Sequence, residues 1–217
     1  MDSVPTLTYF DVRGRAEPIR FVLEEVGEPW KEEVVTLKDW MTNAPSTSFH
    51  RLPVYTEGRR SVHETFAILN YLGRKHSLLG GNVEESNRCD TTVEAWRDHN
   101  QRFTTALSSG SKPTYKHFFE QQQPQLLGDL EAWYGGRELR SEFWAGSLTI
   151  ADFVAFNSID ELIQRYPTLL DGYEQLLRFY NHFAARPTVR GWLASTKRQP
   201  ALSYLGPDGK KLYPTGA

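Results

Sequence analysis

The stretch Leu7-Thr-Tyr-Phe-Asp-Val-Arg-Gly-Arg-Ala-Glu-Pro-Ile-Arg20 decides the fold of the first part of the chain. An apolar strand ends at Tyr9 and runs through Gly14 into a helix. One turn therefore holds a phenol, two guanidinium groups and the N-terminus of a helix. Because N-terminal amides and the positive end of the helix dipole stabilise negative charge, this turn suits an anionic ligand whose nucleophile works better when ionised.

The segments on either side predict a small mixed sheet. Apolar residues at 19, 22, 23 and 26 before Gly27 predict a helix over 16–26, between strands at 4–10 and 30–36. Residues 54–57 and 59–62 predict a hairpin around Gly58, and a second helix follows over 64–75. The order βαβ and then ββα predicts a thioredoxin-like α/β domain.

Strand patterns end after residue 78, and long helical periodicities replace them. We predict a thioredoxin-like domain over 1–78, a linker over 79–84 and an all-α domain over 85–217 that ends in a turn-rich tail. Thr149 and Asp152 have the spacing of a capping box at the start of a helix. The helices of the second domain are predicted near 85–109, 113–134, 150–164, 172–185 and 188–195.

Composition excludes several classes of function. The 25 basic and 27 acidic residues nearly balance, so there is no basic excess for a nucleic-acid partner. No apolar run reaches membrane-spanning length, and no signal-peptide pattern opens the chain. A single cysteine, Cys89, excludes an internal disulfide and favours a reducing cytoplasm. The six histidines show no metal spacing, and we expect neither a metal nor a redox cofactor.

The opening stretch closely resembles that of cytosolic glutathione transferases of the tyrosine type, particularly the pi and sigma classes. The resemblance implies that Tyr9 donates its O–H to the glutathione sulfur, that Arg15 adds a positive field there and that Arg13 supports the turn. Position alone would favour Tyr9 as a buried aromatic with its hydroxyl at the rim. Lowering a thiol pKa of about 8.5 by about two units takes roughly 2.7 kcal/mol, and one charge-assisted hydrogen bond supplies about 1.5–3 kcal/mol.

The resemblance also implies the remaining contacts to glutathione. Trp40 would hold the glycyl carboxylate, although the loop from Trp40 to Pro53 is shorter than in the pi class and lacks its lysine. A cis bond between Leu52 and Pro53 would turn the main chain of Leu52 toward the cysteinyl backbone. Glu64 and Thr65 would receive the γ-glutamyl group at a helix N-terminus. Pi and sigma enzymes have Gln-Ser there, and a carboxylate at 64 attracts the γ-glutamyl ammonium but repels its carboxylate.

Two residues suggest a homodimer by the same resemblance. Asp98 would reach the γ-glutamyl ammonium bound to the other subunit, and an exposed i,i+4 pair with Arg102 is an equally good interpretation. Phe49 matches the aromatic key that enters the partner's helical domain.

A pocket for the second, apolar substrate is implied as well, with a serine where pi enzymes have a tyrosine and with the tail near Leu205 as a cover. Its lining residues would be Phe10, Val12, Leu37, Thr104 and Ser108.

The sequence thus predicts a homodimeric transferase that conjugates glutathione, its cosubstrate, to electrophilic apolar compounds. Thiolate formation and juxtaposition of the reactants would be the two catalytic contributions. Two alternatives stay open. One is a glutathione-dependent isomerase similar to prostaglandin D synthase, and the other is a non-catalytic ligand-binding or crystallin-like member of the same fold.

Overall fold

The computed structural model describes residues 4–43, 49–136 and 141–201. They form two compact units. The first unit runs to Leu79 and includes the chain again from Arg186, while the second spans Gly80–Ala185. None of the described helices combines the length and the apolarity needed to cross a membrane. The predicted domain bounds stay a prediction, and the tail near Leu205 lies outside the described residues.

The first unit is built on a four-stranded mixed sheet in the order β2-β1-β3-β4. Its strands are β1 (Thr6–Phe10), β2 (Lys31–Val35), β3 (Val54–Glu57) and β4 (Arg60–His63). β1 pairs in parallel with β2 and antiparallel with β3, and β3 and β4 form the hairpin. Parallel strands need a crossover connection, and the helix at Glu17–Val26 supplies it between β1 and β2. The predicted βαβ unit and the predicted hairpin are both confirmed.

Helices accompany this sheet, and a single 3₁₀ turn over Gly14–Ala16 precedes the first of them. They are α1 (Glu17–Val26), α2 (Leu37–Asn43), α3 (Thr65–Lys75) and, from the returning chain, α9 (Pro187–Leu193). Leu7 from the sheet, Ile19 and Val22 from α1, and Ile68 and Leu72 from α3 have no exposed surface. This core fixes α1, and with it the turn that follows Tyr9.

The second unit is helical throughout its described residues. Its elements are α4 (Val83–Ser108), α5 (Lys112–His117), a π-helical turn (Phe118–Gln122), α6 (Gln123–Gly135), α7 (Ile150–Arg165) and α8 (Glu174–Ala184). Its core is aromatic, with Trp96, Tyr134, Trp144 and Phe179 completely buried. Together the two units confirm the predicted fold class, which combines a thioredoxin-like α/β domain and an all-α domain.

Two predictions were wrong in detail. The loop predicted from Trp40 to Pro53 begins inside a helix, because residues 37–43 form α2, where the Asp39 N–H donates to Thr36 Oγ1 at 3.1 Å. The helix predicted over 113–134 is interrupted by the π-helical turn. Pro124 cannot donate a backbone hydrogen bond, and its ring clashes with the carbonyl four residues earlier. The helix is therefore locally widened, and the Gln123 N–H bonds to the Phe118 carbonyl.

Candidate active site

Tyr9 is the last residue but one of β1, a central strand of the sheet, and its side chain is only 6% exposed. Its hydroxyl oxygen accepts a hydrogen bond of 3.0 Å from the Arg15 main-chain N–H. Accepting this bond polarises the phenol, because hydrogen bonds in a chain strengthen one another. The hydroxyl is thus placed against the 3₁₀ turn that precedes α1.

Arg15 was predicted to add a positive field at the sulfur through its guanidinium group, and that role stays a prediction. Its side chain is exposed, and the contacts that tie it to the site are made by its main chain. The N–H donates to Tyr9, and the carbonyl accepts a hydrogen bond of 3.2 Å from Thr65 Oγ1. Sequence reasoning missed these contacts because main-chain groups leave no trace in residue identity.

Gly14 allows Tyr9 to approach the turn closely. Its φ is +41°, and a Cβ at this position would lie 2.7 Å from the Tyr9 hydroxyl oxygen and 3.1 Å from Cε1. Only glycine fits both the left-handed backbone and this distance.

Thr65 and Glu64 stand at the N-terminus of α3, as predicted. Thr65 is buried and bonds to the Arg15 carbonyl, which joins this helix end to the Tyr9 turn. Glu64 has φ +69° and ψ +133°, a backbone conformation that costs a non-glycine residue about 1–3 kcal/mol and that clusters at functional sites. The Glu64 carboxylate, which is expected from the sequence to repel the γ-glutamyl carboxylate, lies 3.8 Å from the Arg51 guanidinium. The negative charge of Glu64 therefore has a positive charge beside it.

An aromatic row leads from Tyr9 to Trp40. The Phe10 ring lies edge-on to both, with centroids 5.5 Å from Tyr9 and 5.7 Å from Trp40. Trp40 is half-buried on α2. The structure therefore groups Tyr9, Arg15, Trp40 and Thr65 in one region of the first unit.

The residues before β3 include three further predicted site residues, Phe49, Leu52 and Pro53. The Leu52–Pro53 peptide bond is cis, as the resemblance implied. Both residues are buried, and Val54 follows them into β3. Phe49 is 62% exposed, and its ring stands edge-on to His63 with the centroids 6.0 Å apart.

Other predicted residues lie on α4 of the second unit. Asp98 lies exposed on α4, where its carboxylate pairs with Arg102 Nε at 2.9 Å, so the i,i+4 interpretation is realised. Thr104 and Ser108 are on the same helix, and the Ser108 hydroxyl donates to the Thr104 carbonyl at 2.7 Å.

The remaining residues of the predicted second-substrate pocket belong to the first unit. Val12 is half-buried in the β1-to-α1 turn, and Leu37 is 63% exposed at the start of α2. Phe10 ends β1 and is half-buried. The pocket itself stays a prediction.

Cys89 does not offer a second nucleophile. It is completely buried on α4, and burial raises the pKa of its thiol to about 11. A thiol with that pKa is almost entirely protonated near neutral pH, and the thiolate is the reactive form.

Sequence reasoning missed the charged residues beneath the turn. Glu17 and Arg20 are completely buried on α1, and Arg20 Nη1 donates to the carbonyls of Val12 and Arg13. The available signal was two charged residues three apart on the helix face that also carries Ala16 and Ile19.

Comparisons with known proteins match both parts of the chain. The model of the glutathione S-transferase N-terminal domain matches residues 5–74, and that of the glutathione S-transferase C-terminal domain matches residues 97–196. Glutathione S-transferase P 1 of Xenopus laevis is 30% identical over 88% of this chain and 92% of its own length. Hematopoietic prostaglandin D synthase of Mus musculus is 28% identical over 86% of this chain and 94% of its own.

A solved structure shows the same similarity in three dimensions. The pi-class glutathione S-transferase of Onchocerca volvulus superposes with a TM-score of 0.81 at 25% identity, covering 88% of this chain and 92% of that one. Family models over both parts of the chain, a relative at 30% identity and the placement of Tyr9 at the α1 turn lead to one conclusion. The chain belongs to the glutathione S-transferase family.

Proposed function

We propose that this protein conjugates the thiolate of glutathione to electrophilic apolar compounds, and that the Tyr9 hydroxyl stabilises the thiolate. The observation that carries the proposal is the Tyr9 hydroxyl itself, buried, polarised by the Arg15 N–H and positioned at the start of α1. A negative sulfur in front of this hydroxyl would also meet the N-terminal end of the helix dipole.

The energetic requirement is modest. A thiol with a pKa of about 8.5 is mostly ionised at neutral pH only if its pKa is lowered by about two units, which takes about 2.7 kcal/mol. A charge-assisted hydrogen bond from the phenol contributes about 1.5–3 kcal/mol. Tyr9 can therefore supply most of the stabilisation, and no metal or redox cofactor enters the proposed reaction.

The rest of the first unit supports binding of the tripeptide. The N-terminus of α3, with Thr65, suits a carboxylate of the γ-glutamyl group. Glu64 would receive the ammonium of that group, and Arg51, 3.8 Å from Glu64, offsets the repulsion of its carboxylate. Trp40, next to Phe10, would hold the glycyl end, and the main chain of Leu52 would pair with the cysteinyl residue.

The proposed active form is a cytoplasmic homodimer. Asp98 would contribute to the glutathione site of the partner, and Phe49 would enter the partner's helical domain. Phe49 is 62% exposed, so its ring is accessible for such a contact. Phe10, Val12, Leu37, Thr104 and Ser108 would line the pocket for the apolar substrate.

The test is the pKa of bound glutathione. Thiolate absorbance of the complex is followed across pH for the wild type and for Tyr9→Phe. We expect a wild-type bound-thiol pKa about two units below the free value of about 8.5, and a return toward that value in Tyr9→Phe. Conjugation at pH 6.5 should fall roughly ten- to a hundredfold in the variant, since the thiolate fraction falls by that factor.

Tyr71→Phe is the matched control. It removes a hydroxyl from the same unit, one that donates to Glu57 and accepts from Arg60, away from the Tyr9 turn. Its bound-thiol pKa should equal that of the wild type. Binding of glutathione with an unshifted thiol pKa in the wild type, or no binding, would refute the proposal and favour a non-catalytic ligand-binding protein.

A second candidate is a glutathione-dependent isomerase, favoured by the similarity to hematopoietic prostaglandin D synthase. It would use the same Tyr9 thiolate and return glutathione unchanged. Product analysis separates the two reactions, because conjugation consumes one glutathione per product and isomerisation consumes none.

A further inference from the structure

A buried group of four charged side chains lies beneath the turn that carries Arg15. It comprises Glu17 and Arg20 of α1, Glu32 of β2 and Arg198 beyond α9. Glu17 and Arg20 are completely buried. Two carboxylates and two guanidinium groups neutralise each other, which is the condition for keeping such charges out of water.

Arg20 joins this group to the turn. Its Nη1 donates to Glu17 Oε2 at 3.0 Å, to the Val12 carbonyl at 3.2 Å and to the Arg13 carbonyl at 3.0 Å. Its Nε donates to Glu32 Oε1 at 2.7 Å. One planar guanidinium group therefore ties two consecutive carbonyls of the turn to α1 and to β2.

The same guanidinium group also lies against Tyr9. Its central carbon is 5.8 Å from the centroid of the Tyr9 ring, within the range of a cation–π contact. Arg20 thus contacts the Tyr9 ring and the carbonyls two and three residues before Arg15, whose N–H meets the Tyr9 hydroxyl.

Glu17 connects the four charged side chains to the chain that follows Arg186. Its Oε1 accepts hydrogen bonds from Trp192 Nε1 at 3.1 Å and from Arg198 Nε at 2.7 Å. The Arg13 N–H donates to the Pro200 carbonyl at 2.9 Å. Residues 187–200, although far along the chain, therefore help to hold the turn.

We propose that Arg20 is a positioning residue for Tyr9, and that its guanidinium fork fixes the Val12–Arg13 carbonyls so that the Arg15 N–H meets the Tyr9 hydroxyl. This inference rests on the proposed function. A buried ion network adds little net stability compared with apolar packing, whereas the geometry of its donors constrains the turn directly. Lysine cannot replace Arg20, because one ammonium group lacks the planar fork of donors.

The experiment measures the pKa of bound glutathione in Arg20→Lys and Arg20→Met, together with glutathione affinity, conjugation and thermal stability. Both variants should raise the bound-thiol pKa by about one unit, which lowers kcat/KM at pH 6.5 about fivefold because the thiolate fraction falls by that factor. The dissociation constant of glutathione at pH 6.5 should change by less than about threefold. At this pH glutathione also binds as the protonated thiol, whose affinity does not depend on stabilisation of the thiolate.

Arg186→Met is the matched control. Arg186 pairs with Glu25 and also links the returning chain to α1, at the end of the helix opposite the turn. Its thermal stability should fall as the ion pair is lost, while its bound-thiol pKa stays at the wild-type value. Comparison of the variants thus separates positioning from general loosening of α1.

The outcomes are distinct. If wild-type glutathione shows no lowered thiol pKa, the proposed function itself fails. If the wild type shows it and folded Arg20→Met retains the wild-type value, only the positioning role of Arg20 is refuted. Recovery of the wild-type value by Arg20→Lys would also refute it, since positive charge alone would then suffice.

Arg20→Met could lose its fold, and Glu32→Gln covers that case. It leaves Arg20 in place but weakens the carboxylate contact that orients the fork. The bound-thiol pKa should rise in this variant too, by less than in Arg20→Lys. A value unchanged from the wild type in Glu32→Gln and in Arg20→Lys would overturn the inference.

Discussion

A single missing side chain, that of Gly14, sets the distance between the Tyr9 hydroxyl and the turn. We predict that Gly14→Ala raises the bound-thiol pKa and lowers kcat/KM at pH 6.5 about tenfold or more, because the added Cβ would lie 2.7 Å from the hydroxyl oxygen. Unfolding free energy should fall by about 1–3 kcal/mol from the left-handed backbone. Titration of bound glutathione and urea unfolding check the two effects.

Gly58→Ala provides the control for strain. Gly58 has φ +60°, and a Cβ there would meet nothing within 4 Å. It should lose stability to a similar extent and leave the bound-thiol pKa unchanged. An unchanged bound-thiol pKa in Gly14→Ala would refute the idea that glycine is needed at this position for the close approach of Tyr9.

Much of the candidate site could be predicted residue by residue, and the exceptions share a cause. Tyr9 and Thr65 lie where the pattern and the resemblance placed them, since each depends on the end of one strand or helix. The Arg15 main-chain contacts and the Glu17–Arg20 group depend on how separate segments approach each other. That approach is a tertiary property which the sequence does not display.

Among the elements, the start of α7 shows how far a short sequence motif predicts the hydrogen bonds of a helix terminus. The capping box of Thr149 and Asp152 is present, as predicted. In addition, Asp152 is completely buried, and its carboxylate accepts N–H bonds from Thr149 at 2.8 Å and from Trp144 at 2.9 Å. Sequence spacing revealed the first bond but not the second, which comes from a loop.

We predict that Asp152→Ala lowers the unfolding free energy by about 3 kcal/mol or more, because it leaves two buried N–H groups without acceptors. Asn82→Ala, at the exposed cap of α4 where Asn82 accepts from the Glu85 N–H, should cost only about 1 kcal/mol. Urea unfolding measures both. Equal losses in the two variants would contradict the importance assigned to burial.

The helices that sequence analysis misjudged show why element boundaries are harder to predict. α2 has only seven residues, and its apolar residues Leu37 and Met41 are exposed. The sequence therefore lacks the periodic apolar pattern from which a helix is predicted. The π-helical turn at Phe118–Gln122 preserves a helical pattern on both sides of it. Periodicity therefore gave one long helix where the backbone changes its hydrogen bonding.

At the scale of the whole molecule, the proposed homodimer would depend on Phe49. We predict that Phe49→Ser weakens the homodimer by about 2–4 kcal/mol, as expected for a central aromatic residue at an interface. Sedimentation equilibrium measures the shift toward monomer. Met41→Ser, which also removes an exposed apolar side chain (78% exposed), should leave assembly unchanged. A Phe49→Ser protein that associates as the wild type does would refute the key role.

Acid stability is a second property of the molecule as a whole. His99 is completely buried in the second unit, and burial lowers its pKa from 6.5 to about 4, against smaller opposing effects of Asn100 and Asp98. Below pH 6.5 the unfolded chain binds a proton there that the folded chain does not. Unfolding free energy therefore falls as pH drops, by on the order of 3 kcal/mol between pH 6.5 and 4.

We predict that His99→Leu removes this part of the pH dependence, as measured by urea unfolding at several pH values between 7 and 4. Phe103→Leu is the control, since Phe103 stacks on His99 with the ring centroids 6.1 Å apart. It should lower stability at every pH and keep the slope. An unchanged slope in His99→Leu would assign the pH dependence to other groups.

The burial of Cys89 has a practical and a physiological consequence. A protein that handles thiol-reactive electrophiles risks being alkylated by its own substrates. Here the one cysteine of the chain is kept from solvent with a thiol pKa of about 11, so the folded polypeptide offers no reactive thiol to the proposed substrates. For the same reason, a thiol-labelling dye added to the folded protein with glutathione will report the glutathione thiol, free of background from the polypeptide.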